Sequence, residues 1–395
     1  MKESYLSSQK FYLAIPFFLV FVVNIFITQI RGLEFAGKLA IFSGICTFLS
    51  FFFSYRWDTE VLVKSKENLT DSIQSGILIS FSVLIFCLII LLILHKFVDE
   101  RAYFIMIIGS AALLAIYEIL LNAFLKIDFI KTYVTFRFIP PLILFVLCIN
   151  NYAEYTAWFF SLLIPAVLLF VISFQKFSLK DNLNLATKEF ILKTRSKLIP
   201  TLSTAITNSL PLLWLIIIFS FFGDREAGIW INIYRIFSLP FAFFGAALLP
   251  YVLSLIGDLT SNSQKFNFMF KFEILIFLTA ALCLLYSYFF GQISFSFLTQ
   301  QEVLIHKNLF FCVIAVSFMQ YSLQYWKEIF QSIERTSSFF FIMLIQLLFG
   351  ISVYFLANSG NLEELAYIIL FSTFIPFASA ALLISYLYKS YKKIF

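Results

Sequence analysis

Apolar residues run along this chain in long unbroken blocks, separated by short polar breaks. They show neither the strict alternation of a half-exposed strand nor the one-sided periodicity of a soluble helix. Twelve blocks stand out, at about 11–30, 36–53, 73–94, 102–124, 134–149, 155–174, 198–222, 227–255, 272–290, 308–326, 337–357 and 365–388. A membrane-crossing helix needs roughly 20 mainly apolar residues, so twelve would occupy ~240 and leave the remainder for short loops. A backbone facing lipid must satisfy its own hydrogen bonds, which a helix does within one segment. A membrane barrel would instead show short alternating strands. The pattern therefore predicts an all-α integral membrane protein of about 12 transmembrane helices.

Composition agrees. The chain is 61% hydrophobic and 13% charged, where a soluble domain carries about 25% charged residues. Mean hydropathy is +0.94. The net charge of +6 does not indicate nucleic acid, because the cations stand singly between apolar blocks. Their distribution is topological. With the N-terminus in the cytoplasm, cytoplasmic segments carry 21 of the 28 lysines and arginines, with Arg137, near the start of the fifth block, counted among them. The opposite side has only Arg31, Lys38, Lys96, Arg101, Arg225 and Lys307, and Arg235 lies inside a block. This places both termini in the cytoplasm. The N-terminal block has the polarity of a signal peptide, but its length and the lack of a clear small-residue cleavage site make it a retained first helix.

The longest polar connector, residues 175–197, divides the chain into six spans (1–174) and six spans (198–395), and predicts a surface helix or loop. The halves are weakly self-similar. RGLEFAGKLAIFSGICTFLSFF aligns with FGDREAGIWINIYRIFSLPFAFF, with Gly32 on Gly223 and Ala36-Gly37 on Ala227-Gly228. Both copies follow a span that starts on the cytoplasmic side, so the pseudo-repeat is parallel, about an axis along the membrane normal.

Within the blocks, few residues carry chemistry. Arg235 lies about eight residues into its span, roughly 12 Å along a helix, too deep for comfortable snorkelling. It either lines a water-filled cavity or is paired structurally, with Asn232 or Glu118 as partner. Glu118, in ALLAIYEILLNAF, is an ion-coupling candidate or the counter-ion of an arginine. Asn122 shares its face. Gln320 and Gln324 are four residues apart on one face, beside Tyr321 and Tyr325, an arrangement that suits a sugar or interfacial anchoring. Asn24, Thr28 and Gln29 in span 1, and Asn208 in span 7, complete the polar candidates. Pro240 is expected to bend span 8.

Other chemistry is not indicated. The five cysteines lie in apolar blocks without CxxC spacing, so neither a disulfide framework nor a metal site is implied. No Walker A, HExxH or GxSxG sequence occurs, His95 and His306 are isolated, and the Asn68-Leu69-Thr70 sequon falls in a cytoplasmic loop. No catalytic residue, metal or cofactor is expected, and the chain is not read as an enzyme.

Three stretches carry a family resemblance: FFGDREAG followed by YRIFSLP, SYRWDTEVLVKSKE after span 2, and YWKEIFQSIERTS after span 10. The chain resembles the polysaccharide transporters of the multidrug/oligosaccharidyl-lipid/polysaccharide exporter superfamily, and among them the O-antigen flippases. The resemblance spans essentially the whole length. It implies two six-helix lobes in a V around a central, often cationic, cavity. The cargo it implies is an undecaprenyl-diphosphate-linked oligosaccharide, an O-antigen or capsule unit, moved across the bacterial inner membrane by alternating access. Partners would be that glycan lipid, membrane lipid, and polysaccharide polymerase and chain-length machinery. Arg235 occupies the motif's arginine and would attract diphosphate. Asn232, Gln320, Gln324, Asn24 and Asn208 would contact cargo. The chain departs from the family in being short, rich in phenylalanine and poor in buried acids, which leaves the coupling ion open. A drug or ion exporter of the same superfamily is the alternative. A membrane polymerase or glycosyltransferase is a further one, against which the short outer loops argue.

Overall fold

The computed structural model describes residues 2–55, 57–63, 69–93, 101–127, 129–177, 183–242, 262–332, 336–356 and 361–392. Among them every regular element is helical. They are α1 (Lys2–Ser54), α2 (Trp57–Val63), α3 (Leu69–Ile93), α4 (Arg101–Lys126), α5 (Ile130–Ile149), α6 (Glu154–Lys176), α7 (Leu183–Phe222), α8 (Asp224–Ala242), α9 (Asn262–Thr299), α10 (Lys307–Ser332), α11 (Thr336–Leu356) and α12 (Leu362–Lys392).

Among the described residues nine helices are long and apolar enough to cross a membrane. The first, Ile15–Ser54, has 40 residues, about 60 Å at 1.5 Å per residue and twice a bilayer core. Non-helical backbone at Gly32 breaks it, so it supplies two spans. Helix α7 bends by 43° between Thr201–Thr207 and Pro211–Phe222, where Pro211 removes a backbone donor. Its first turns are the helical form of the expected connector. Helix α8 opens with Asp224, Arg225 and Glu226 and so falls below the hydropathy of its neighbours. With α1 counted twice and α7 and α8 added, these are the twelve expected spans. Pro240 lies two residues before the described end of α8, and any bend beyond it falls outside the described residues.

The contact pattern divides the chain into two compact units, Met1–Val23 with Leu39–Thr201, and Asn24–Lys38 with Leu202–Phe395. In the first unit α4 is the most enclosed span, with 56% of its apolar window buried, and in the second α10 is, at 72%. Each is the fourth span of its half. Apolar burial gives little driving force in lipid, so close approach and polar ties decide packing. Small residues allow that approach on α4, where Ala111, Ala112 and Ala115 pack against Phe53, Leu84 and Cys87. Further along, Tyr117, Leu120, Leu121 and Phe124 meet Trp57, Ile73, Phe136 and Leu169. In the second unit Leu323, Tyr325, Trp326 and Phe330 of α10 meet Phe266, Phe339, Met343, Ala380 and Ile384.

Short helix α2 was expected only as part of a polar loop. It buries Trp57 and Val61 completely. Two donors of α4 hold its backbone, Asn122 Nδ2 to the Asp58 carbonyl at 3.0 Å and Lys126 Nζ to the Leu62 carbonyl at 2.7 Å.

The repeat is visible in the backbone. A shift of 191 residues carries Gly32 onto Gly223 and Gly37 onto Gly228. Gly32 and Gly223 both take positive φ, 83° and 94°, at matching breaks between spans, a conformation that glycine adopts without steric cost. Gly37 and Gly228 face one another so closely that neither has room for a side chain. A methyl group at Gly37 would sit 2.6 Å from the Asp224 carbonyl oxygen, and one at Gly228 would fall on the carbonyl of Leu33. The same shift relates Leu33 to Asp224. The contact is thus reciprocal, as a two-fold axis between equivalent segments requires.

Candidate functional site

All six candidate cargo contacts, Arg235, Asn232, Gln320, Gln324, Asn24 and Asn208, belong to the second unit, and they differ in their surroundings. Asn232 is fully buried. Its carbonyl oxygen accepts the Thr28 hydroxyl at 3.0 Å, and its amide donates to the Gly228 carbonyl at 2.8 Å. It therefore ties segment Asn24–Lys38 to α8 and is not the partner of Arg235. Thr28 also donates to the Asn24 carbonyl at 2.9 Å. The Gln29 amide donates to the Leu298 carbonyl at 2.7 Å, and Lys38 pairs with Asp224 at 3.2 Å. Asn24 itself is half-buried.

Arg235 lies three residues beyond Asn232 and is partly exposed. Among the described residues it has no ion pair and no hydrogen bond. Along α8 it lies beside Tyr234 and one turn from Ser238. Helix α8 packs on α10, the Tyr321 hydroxyl lies beside those of Tyr234 and Ser238, and the Tyr321 ring stacks on Phe241. Gln324 follows Tyr321 by about one turn and is also partly exposed. Gln320 is 1% exposed, and among the described residues both ends of its amide lack a partner. An unmet buried amide is costly in a low-dielectric interior. The Asn208 side chain lies outside the described residues.

Glu118 stands in the first unit. Both its carboxylate oxygens are bound by the guanidinium of Arg137, one at 2.6 Å from Nη1 and the other by Nη2. The sequence reading counted Arg137 with the cytoplasmic loop. The structure corrects this, for Arg137 lies well inside α5, which starts at Ile130. The side chains are 23% and 25% exposed, and the guanidinium also lies 5.3 Å from the Tyr133 ring centroid. The Tyr117 hydroxyl, next to Glu118, donates to the Phe136 carbonyl, next to Arg137. Of the two roles expected for Glu118, the counter-ion arrangement is the one whose partner is seen; ion coupling would have to act through this pair.

One acid was missed. Glu273 of α9 accepts the Ser322 hydroxyl at 2.6 Å and the Trp326 indole N–H at 3.1 Å, both from α10. In the sequence it sits two residues after Lys271, at the edge of an apolar block, and reads as part of the boundary. The signal was there in Ser322 and Trp326, a donor pair one turn apart on one face of a neighbouring span. Among the described residues no group of histidine, cysteine, aspartate and glutamate could hold a metal ion.

No family model matches the chain, and no curated protein matches it. Solved structures do. An outward-facing multidrug resistance MATE family transporter of the MOP superfamily superposes with a TM-score of 0.64 at 11% identity, over 98% of this chain and 96% of that one. A single-residue mutant of the Vibrio cholerae MATE transporter VcmN gives 0.66 at 14%, over 98% of both chains. A MOP superfamily transporter from Pyrococcus furiosus, described as having a binding pocket of reverse polarity that suggests a different function, gives 0.62 at 12%, over 97% and 96%. At these identities the likeness is one of architecture, and it runs the whole length of both partners. The chain has the all-helical fold of the MATE transporters of the MOP superfamily.

Proposed function

We propose that this chain is a membrane exporter of amphipathic solutes that works by alternating access; in support, structural neighbours are described as multidrug resistance transporters in outward-facing and inward-facing conformations. The observation that carries the reading is the end-to-end match to those transporters. Local chemistry narrows the cargo. Arg235 is a cation in a span without a compensating acid among the described residues, and the acid of the first unit, Glu118, is neutralised by Arg137. A fixed positive charge in a low-dielectric setting attracts anions and repels cations. The preferred cargo is therefore an anionic amphiphile, with its charge at Arg235 and its polar groups at Tyr321 and Gln324.

The same arginine favours a second reading, the transfer of an undecaprenyl-diphosphate-linked oligosaccharide from the cytoplasmic to the outer leaflet of a bacterial inner membrane. Its diphosphate would meet Arg235, and the amides of Gln320 and Gln324 would meet sugar hydroxyls. A deletion strain separates the two. Sensitivity to anionic amphiphiles with normal surface glycan supports the exporter. Loss of surface glycan with unchanged sensitivity, and lipid-linked oligosaccharide accumulating on the cytoplasmic face, supports the flippase. Neither phenotype would refute both, provided no second transporter substitutes.

Under either reading Arg235→Ala should insert at normal levels and lose at least about tenfold in transport, equivalent to about 1.4 kcal/mol. Arg235→Lys should retain part of it, since a point charge replaces a fork. Transport rates against protein content of the membrane check this, and full transport by the alanine variant would refute an essential role.

A further inference from the structure

We infer that Glu273 is a proton-binding site whose occupancy controls how tightly α9 is held to α10. The inference rests on the transporter reading for its purpose, but not for its test. Glu273 differs from Glu118 in one decisive way. Its two partners, Ser322 Oγ at 2.6 Å and Trp326 Nε1 at 3.1 Å, are neutral donors, and among the described residues no cation pairs with it. A proton can therefore be gained or lost there without breaking an ion pair.

The charged and titratable groups around it are few. On its own helix, Lys271 is exposed. On α10, Tyr325 is buried with an unpartnered hydroxyl and feels the Glu273 charge, while the Phe272 and Tyr325 rings lie 4.8 Å apart. Lys327, also on α10, is buried. The other helices packed broadly on α9 are α8 and α12, and α1 touches its far end through Gln29 and Leu298. Among the described residues none of them pairs a charged group with the carboxylate. Helix α12 contributes Phe377, stacked on Trp326 at 5.0 Å.

The consequence follows from hydrogen-bond chemistry. An ionised carboxylate only accepts, and its bonds from O–H and N–H donors are charge-assisted. Protonation converts one oxygen into a donor, for which neither Ser322 as now oriented nor the indole N–H is an acceptor. Both ties between α9 and α10 then weaken together. Proton binding is thereby linked to helix packing, and by reciprocity a cargo that favours the loosened arrangement favours the proton.

The test uses the full chain in lipid vesicles without cargo, so its result is independent of the exporter and flippase readings. Infrared difference spectra across pH should show a carboxyl protonation event in the wild type, absent from Glu273→Gln and retained in Glu118→Gln. Tryptophan fluorescence should change with the same midpoint and lose that change in Trp326→Phe. Should Glu273→Gln fail to fold, Ser322→Ala supplies the second variant, and its midpoint should differ from wild type by at least one pH unit. No protonation event in the wild type, or one unchanged in Glu273→Gln or in Ser322→Ala, would overturn the inference.

Discussion

Gly228→Val should not assemble its second unit normally. The added Cβ falls on the carbonyl of Leu33, with the Leu33 carbonyl carbon 2.7 Å and its Cα 3.1 Å away. These are backbone atoms, so no side chain can swing aside. Helix α8 and the segment after Gly32 must separate. Two ties depend on that approach, the Lys38–Asp224 pair and the Thr28–Asn232 bond. Overpacking of a flexible core costs about 1–3 kcal/mol, and an obstruction made of backbone belongs at or above the top of that range. Thermal stability of the detergent-solubilised protein is the measurement. Gly228→Val should fall well below wild type, and Gly37→Val, whose Cβ meets the Asp224 carbonyl at 2.6 Å, should fall with it. Gly32→Ala is the contrasting case. Nothing lies within 4 Å of its Cβ, so only the positive φ opposes it, at about 1–2 kcal/mol. Equal stability of Gly228→Val and wild type would refute the seam.

The second large effect is expected at Glu118 and Arg137. Removing one member of a fully buried pair leaves the other uncompensated and costs about 3–5 kcal/mol, whereas replacing both with apolar groups is often near neutral; this pair, with side chains 23% and 25% exposed, belongs at or below the lower end. Glu118→Ala should thus destabilise strongly and reduce the amount of protein in the membrane. The double variant Glu118→Leu with Arg137→Leu should recover most of the loss. A double-mutant cycle on thermal stability reads this directly, since residues in contact show coupling that distant ones do not. If the two losses simply add, the pair is not a structural unit. If the double variant is stable but inactive in transport, Glu118 has a coupling role beyond that of counter-ion.

The hydrophobic blocks carried most of the architecture, because a segment that must satisfy its backbone inside lipid has only one local solution. Span number and the matching glycines at 32, 37, 223 and 228 were readable for that reason. A glycine with positive φ and a glycine at a backbone contact leave the same letter in the sequence, and the repeat told them apart by position. What could not be read were pairings. Arg137 looked like a loop cation because it stands only four residues into its block, yet its fork reaches a carboxylate on another helix. Glu273 looked like a boundary acid because its partners lie some fifty residues away. Asn232 looked like the mate of Arg235, three residues on, but the backbone approach at Gly228 turns its amide toward Thr28. Each depends on which helix faces which, and side-chain spacing along one helix does not contain that.

The account's central claim is that the chain is a transporter whose cargo meets the positive charge of Arg235. The most direct measurement is transport by the purified full-length chain in sealed vesicles, with an anionic fluorescent amphiphile and an undecaprenyl-diphosphate glycan as the two probes. The account predicts that wild type moves at least one of them, and that Arg235→Ala moves it at least about tenfold more slowly with unchanged thermal stability. Movement of neither probe by the wild type, or equal rates in the two proteins, would contradict it.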